Sequence, residues 1–409
     1  MIKKIFLVLI LVNLFSNADA QKTAVKKVKE EPFVAKVLVI GNGNAALAAA
    51  VQSAVSGVKT SILLQAGGFD LSPVEEGLSS GIQTKFLKKY KEFLMEKDST
   101  KVVPFDKQKA NASLNVWVDS IKNLSIIKNV MWVKAERSGK NWVFKLSDGS
   151  TIRPKVLINP ADAKLNEALK IIAPSANWNK LDYNQTLYRT SVASGKLENG
   201  NTATIFSMYQ LLLKEQENLV WINDPESMSL GQAAGATAAY AAFFDLKTSE
   251  SNLKKIQGEL INYKLDLMPF GDIKQPDTNW KAIQFVGVTG ILKAEIDGKS
   301  AKFSPNKLVT TEEIRQPIKD FYYKAQIWFD DYKNSIMTIG SSLDMISYVG
   351  NKSLESMKKE IPKKWKTSYQ FKTEFDLERQ INRRELAVLL QDYMPPFNVN
   401  VDEKGKVVR

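Results

Sequence analysis

Three small residues, Gly41, Gly43 and Ala46, stand at the spacing G-x-G-x-x-A within VLVIGNGNAALAAAVQSAVSGVKTSILLQ, residues 37–65. The chemistry this spacing supports is phosphate binding. The first glycine permits a tight turn, the second lets backbone approach a pyrophosphate, and the third small residue lets helix and strand pack closely. A helix starting here would aim its free N–H groups and positive dipole end at the phosphates, which brings Asn44 and Ala45 into the candidate cradle. Gln65 stands where the following strand should end in an acidic residue that grips ribose hydroxyls. An amide can bond a hydroxyl there, without charge assistance.

Other chemistry is excluded by composition. The chain has no His and no Cys, which removes the commonest general base and metal ligand. A zinc site of the usual kind, a Ser-His-Asp or Cys-His arrangement, a disulfide and a lipidated cysteine are all ruled out, and no metal site is expected.

The elements that must hold the cradle follow from pattern. Residues 37–40 are a short apolar run suited to a strand buried on both faces. Residues 45–56 are small and Ala-rich, a good helix, which Gly57 stops. Residues 60–64 read as a second buried strand. Strand, glycine turn, helix and strand make one βαβ unit, which implies parallel strands.

The chain opens MIKKIFLVLILVNLFSNADA. Lys3 and Lys4, an apolar core and Ala18-Asp19-Ala20 read as a signal peptide over 1–20, with a Lys/Glu-rich linker over 21–36. The expectation is an exported protein, periplasmic or extracellular in a Gram-negative bacterium, with no membrane span after cleavage. The formal net charge is +13. Scattered lysines and export argue against nucleic acid and leave an anionic cell-envelope polymer as a candidate partner.

Further along, residues 84–95 read as an amphipathic helix with Phe86, Leu87, Tyr90, Phe93 and Leu94 on one side. From 129 the pattern turns to strands: a hairpin over 130–146, Thr151-Ile152, then an apolar strand at 156–158, as in an excursion from a parallel sheet and back. Residues 218–222 are another buried strand. A small-residue helix follows from Ser229 to about Phe244, explained either by close packing alone or by a cofactor at its N-terminus. Residues 279–292 have helical spacing, Thr310 or Thr311 caps a helix over 312–323, and residues 382–393 form a last amphipathic helix. The basic stretch 358–372, with Trp365, Tyr369 and Phe371, reads as a solvated face or as a grip on an anionic polymer.

Together these pieces resemble the secreted FAD-dependent oxidoreductases labelled xanthan-lyase-like, from Bacteroidetes-type bacteria. Four places carry the resemblance: the βαβ unit above; FKLSDGSTIRPKVLINPA; FSMYQLLLKEQENLVWIN with SMSLGQAAGATAA; and AIQFVGVTGILKAE with FSPNKLVTTEE and INRRELAVLLQDYMPPF, which is also similar to the S-layer-homology repeat. The resemblance implies non-covalent FAD held by Gly41, Gly43 and Ala46, with Gly231, Gln232 and Ala233 opening a helix aimed at the isoalloxazine pyrimidine edge. It places Tyr188 and Arg189 toward the active-site side, Arg189 either orienting an anionic substrate or forming a structural ion pair. The chain departs from the family at Gln65, at Asn159-Pro160-Ala161-Asp162-Ala163 in place of the second flavin motif, in a short segment at 222–228, and in lacking the family's His.

The expected architecture is α/β: a Rossmann-type FAD/NAD(P)-binding domain over 37–250 with a β-rich excursion, and a helical module over 251–409. Two functions follow. One is an exported FAD-dependent oxidoreductase passing hydride from a small organic or sugar-derived substrate to the flavin. The other is a relative that has lost flavin and serves as an envelope binding or scaffold protein. Polysaccharide lyase chemistry ranks last, because no base and charge-neutralising group are identified.

Overall fold

The computed structural model describes residues 35–65, 67–74, 80–98, 101–172, 177–195, 203–297 and 300–408. The expected signal peptide and nearly all of the linker lie outside the described residues.

A five-stranded parallel sheet organises the first half. Its strands are β1 (Val37–Ile40), β2 (Thr60–Leu64), β3 (Leu124–Lys128), β7 (Val156–Asn159) and β11 (Leu219–Trp221). Their spatial order is β11-β7-β1-β2-β3, every neighbouring pair being parallel. Counting only these strands, that is the order 3-2-1-4-5 of a Rossmann-type dinucleotide fold, and its switch point lies between β1 and β7, beside the glycine turn. β1, β2 and β7 are buried along their whole length, as apolar runs covered on both faces must be.

Between β3 and β7 the chain leaves the sheet for an antiparallel meander, β4 (Trp132–Ser138), β5 (Asn141–Leu146) and β6 (Thr151–Ile152). The hairpin turn falls at Gly139, whose φ of +62° favours glycine. Trp142 pins the meander down, its Nε1 donating to Asn218 O at 2.7 Å. Helices α2 (Gly81–Phe93) and α3 (Lys107–Val118) lie between β2 and β3 in the chain and pack on each other, and the short α4 (Ala163–Leu169) follows β7. α2 starts three residues before the spacing suggested. It buries Ile82, Phe86 and Tyr90 and leaves Phe93 at 46% exposure, so Phe93 is not part of the buried face.

The helix after the glycine turn is α1 (Asn44–Val55), and the small-residue helix is α5 (Met228–Phe244). They cross at closest approach. A Cβ on Gly231 would lie 2.2 Å from Ala45 O, and one on Gly235 would lie 2.4 Å from Ala49 O. Two glycines one turn apart let the backbones touch, and the alanines around them fill the seam. A three-stranded antiparallel sheet, β8 (Asn179–Lys180), β10 (Thr204–Ser207) and β9 (Ser191–Gly195) in that spatial order, lies on the other side of α5.

The second half is helical: α6 (Leu253–Asn262), α7 (Trp280–Gly287), α8 (Thr311–Phe321), α9 (Ala325–Asp331), α10 (Ile339–Gly350), α11 (Leu354–Trp365) and α12 (Arg383–Tyr393), with a small strand pair β12 (Glu295–Ile296) and β13 (Ala301–Lys302). α7 stops at Gly287 rather than running to 292, because Gly290 turns at φ +77° against the Tyr188 hydroxyl. Three extended segments close a ring of backbone hydrogen bonds. Val309 N–H donates to Ile381 O (2.9 Å), Ile381 N–H to Met337 O (3.0 Å), and Met337 N–H to Val309 O (3.2 Å). Each segment runs into an N-cap, Thr310, Thr338 or Asn382, and then into α8, α10 or α12. In the basic stretch Trp365, Tyr369 and Phe371 are buried, so the aromatics serve the core and the lysines are left at the surface. The apolar core is continuous from the parallel sheet into these helices. Among the described residues, no helix is long and apolar enough to cross a membrane.

Candidate functional site

The glycine turn has the geometry its spacing implies. Gly41 sits at φ +143°, and a Cβ there would meet Ala46 Cβ at 3.4 Å and Pro160 Cγ at 3.5 Å. Ala46 thus plays the part of the third small residue, and Pro160, from the altered second motif, packs on the first glycine. Gly43 precedes α1 in extended conformation, as the N-cap.

One backbone donor at the start of α1 and the Asn44 side chain are already engaged. Ala45 N–H donates to Pro225 O at 2.9 Å. The Asn44 amide donates to Ser72 O and Glu226 O (both 3.2 Å), and its oxygen accepts from Ser72 N–H at 3.2 Å. Asp70 N–H donates to Asn42 O at 2.7 Å. Asn44, Ala45 and Ala46 are each no more than 1% exposed. The position a pyrophosphate oxygen would take at Ala45 is held by a carbonyl of the 222–228 segment, and a helix N-terminus accepts that carbonyl on the same physical terms as an anion.

Among the described residues, Trp221 Nε1 and two acceptors at the carboxyl ends of the strands are left without partners. Gln65 Oε1, at the end of β2, is buried and unbonded, and so is Asn223 Oδ1, just past β11. A buried, unsatisfied acceptor costs about 1–3 kcal/mol. A ribose hydroxyl would satisfy Gln65. The site therefore fits the ribose end of FAD and, as folded, does not fit the pyrophosphate, which requires residues 223–227 to move off α1.

Gly231, Gln232 and Ala233 lie inside the α1–α5 seam. Gln232 is fully buried, and its amide is spent on structure: Oε1 accepts from Ile82 N–H (2.9 Å), while Nε2 donates to Gln52 Oε1 (2.8 Å) and Tyr263 O (3.4 Å). Close packing accounts for this helix without a cofactor at its start.

Tyr188 and Arg189 are brought together, but as a clamp. Arg189 is 5% exposed. Its Nε donates to Thr289 O (3.0 Å), its Nη1 to Gly405 O (3.4 Å), and its Nη2 lies 3.7 Å from Asp320 Oδ2. The guanidinium stacks 4.9 Å from the Phe321 ring centre. Of the two roles open to Arg189, the geometry gives the structural ion pair. Burial pushes the Tyr188 phenol above its ordinary value, the Arg189 charge partly opposing.

Two ionisable groups, the half-buried Asp266 and the buried Lys254, carry no signal in the sequence. Asp266 accepts from Trp280 Nε1 (2.7 Å) and Gln284 Nε2 (3.4 Å) through Oδ1, and burial pushes its carboxyl up to about 7. Lys254 has no hydrogen-bond partner for its Nζ, which lies 4.8 Å from the Phe397 ring centre. Burial, with the Arg189 charge adding, brings it down to about 7. Asp266 lines a cavity of about 250 Å³ together with Thr84, Ser194, Phe270 and Lys274. A larger cleft of about 690 Å³ runs along residues 179–188, with Tyr183 and Tyr188 on its wall.

No family model matches the chain, and no curated protein matches it. Solved structures similar to it include GidA of Aquifex aeolicus, 17% identical over 31% of this chain and 25% of that one, TM-score 0.22. The p-nitrophenol 4-monooxygenase PnpA of Pseudomonas putida DLL-E4 is 10% identical over 37% and 46%, TM-score 0.25. A flavoprotein/dehydrogenase from Cytophaga hutchinsonii is 16% identical over 34% and 43%, TM-score 0.25. The matches span between a quarter and just under half of those chains. At these scores the assignment of a Rossmann-type α/β fold stands on this chain's own strand order and glycine turn.

Proposed function

We propose that this chain keeps the framework of an exported FAD-dependent oxidoreductase and uses it as a scaffold, acting as a binding protein of the cell envelope. The observation that carries this reading is the hydrogen bond from Ala45 N–H to Pro225 O, which fills the pyrophosphate position with the chain's own backbone. The burial of Gln232 and the structural ties of Arg189 agree with it. The basic face around residues 358–372 is the surface offered to an anionic envelope polymer.

A second reading has its own support. Gln65 Oε1 is unsatisfied at the ribose position, and FAD is the cofactor this framework suits. Bound there, FAD would supply hydride chemistry toward a small organic or sugar-derived substrate. This chain's part would be to hold the ribose through Gln65 and to release residues 223–227 from α1.

Visible absorption of the purified protein followed by titration with FAD separates the two. The scaffold reading expects a colourless protein that leaves FAD fluorescence unchanged. Saturable quenching near one equivalent, lost in Gly43→Glu, overturns it and establishes the oxidoreductase reading.

A further inference from the structure

We propose that the cavity between α2, β9 and residues 266–276 is a binding site for a small zwitterion of amino-acid size, its ammonium group meeting Asp266 and Thr84 and its carboxylate meeting Lys274. The site does not depend on whether FAD binds.

The cavity holds about 250 Å³, just below the usual range for small-molecule sites of about 300–1,000 Å³ and far too small for a dinucleotide. Its polar groups are prepared and unfinished. Asp266 Oδ1 is fixed by Trp280 and Gln284, which orients the carboxyl and leaves Oδ2 for a further donor. The Thr84 hydroxyl is buried with no hydrogen-bond partner, an arrangement with a free-energy cost unless something bonds it. Lys274 is exposed and belongs to the same wall. Pro269, Phe270 and Ile273 supply apolar surface for a short side chain.

Charge selects the class. A simple amine would meet Asp266 favourably and be repelled by Lys274, and a simple carboxylate would meet the reverse. A zwitterion satisfies both and brings no net charge into a partly desolvated space. Burial raises the Asp266 carboxyl to about 7 while the Lys274 charge pulls the other way. An arriving ammonium favours the ionised carboxylate, so binding releases a proton near neutrality and tightens as pH rises through 7.

The test is calorimetric titration of the full chain with glycine, L-alanine and L-leucine, beside ethylamine and propionate as half-ligands. Saturable binding of at least one amino acid is expected, with both half-ligands at least tenfold weaker. Asp266→Asn, which keeps an acceptor for Trp280, should weaken the amino acid at least tenfold and abolish the pH dependence. Lys274→Ala, on the exposed wall, should equalise amino acid and amine, and Thr84→Val should weaken both. Thermal melts establish that each variant is folded. No binding of any amino acid to folded wild-type protein overturns the proposal. So does ethylamine binding as tightly as alanine, or full affinity retained in folded Asp266→Asn.

Discussion

Single residues show where sequence spacing and sequence resemblance part company. Gly41, Gly43 and Ala46 do what their spacing requires, because turn geometry is local and written in residue size. Gly231 and Gln232 pack on Ala45 and Gln52, because what lies opposite a helix is decided by residues far along the chain. Gly231→Ala would drive a Cβ into the Ala45 backbone and is expected to cost about 1–3 kcal/mol, as overpacking does. Gly258, inside α6 with nothing near its would-be Cβ, provides the control: Gly258→Ala should stabilise by about 0.5–1 kcal/mol. Denaturant melts of the two variants check both signs. Asp266 and Lys254 have opposite effects with pH. Asp266, raised to about 7 from 3.8, holds its proton when the unfolded chain has lost it, so its contribution to stability is lost as pH rises from about 4 to 7. Lys254, lowered to about 7 from 10.5, is neutral in the fold where the unfolded chain is charged, so stability rises from about 7 to 10.5. Melting temperature against pH should lose the acid-side slope in Asp266→Asn and the alkaline-side slope in Lys254→Met, each compared with wild type.

Elements were the most legible level. β1, α1, β2, the hairpin, β7, β11, α5 and α12 stand close to where period and turn residues put them. α3 and β3 were not seen, since residues 107–118 mix polar and apolar positions without a clear stripe and β3 is only partly buried. The short segment at 222–228 was visible as a departure, but its place over α1 was not, because a loop's path is set by what it covers. The caps are the part of the helical half most open to test. Thr338 and Asn382 form capping boxes with Ser341 and Glu385, and both sit beside the hydrogen-bonded ring. Thr338→Ala and Asn382→Ala should each cost about 1 kcal/mol, read as a lower denaturant midpoint at unchanged slope. Asn252→Ala, which removes a cap far from the ring, should cost a similar amount, so any excess at Thr338 and Asn382 reports the ring itself.

Across the whole molecule, the two halves are joined by contacts spaced far apart in sequence. Arg189 reaches Thr289, Gly405 and Asp320 at once, and Thr186 Oγ1 donates to Lys404 O at 2.6 Å. Gly405 is at φ +77° with its would-be Cβ 1.9 Å from Thr186 O, so no other residue closes this contact without displacement. Arg189→Met keeps the length and apolar contact while removing three tethers. It should lower stability by about 3 kcal/mol, the order seen when one partner of a buried charged network is removed, and expose residues 399–408 to limited proteolysis. An unchanged cleavage pattern would show that the apolar contacts of Phe397 hold this segment unaided. Contacts of such span leave no periodic trace in a sequence, which is why Arg189 could be singled out from the chain but not assigned its role.

The ring through Val309, Met337 and Ile381 has a consequence for how the protein is made. A stacked repeat can add units one after another as the chain emerges, each resting on the last. A closed ring cannot. Until residue 381 has been synthesised, the 309 and 337 segments have only their own pairing, Met337 N–H to Val309 O and Thr311 N–H to Ser335 O, and only then do the ring's other two bonds form. The helical half should therefore acquire its structure late and in one step, with ribosome-stalled chains ending before 381 remaining protease-sensitive well into the 309–350 region while the βαβ unit is already protected.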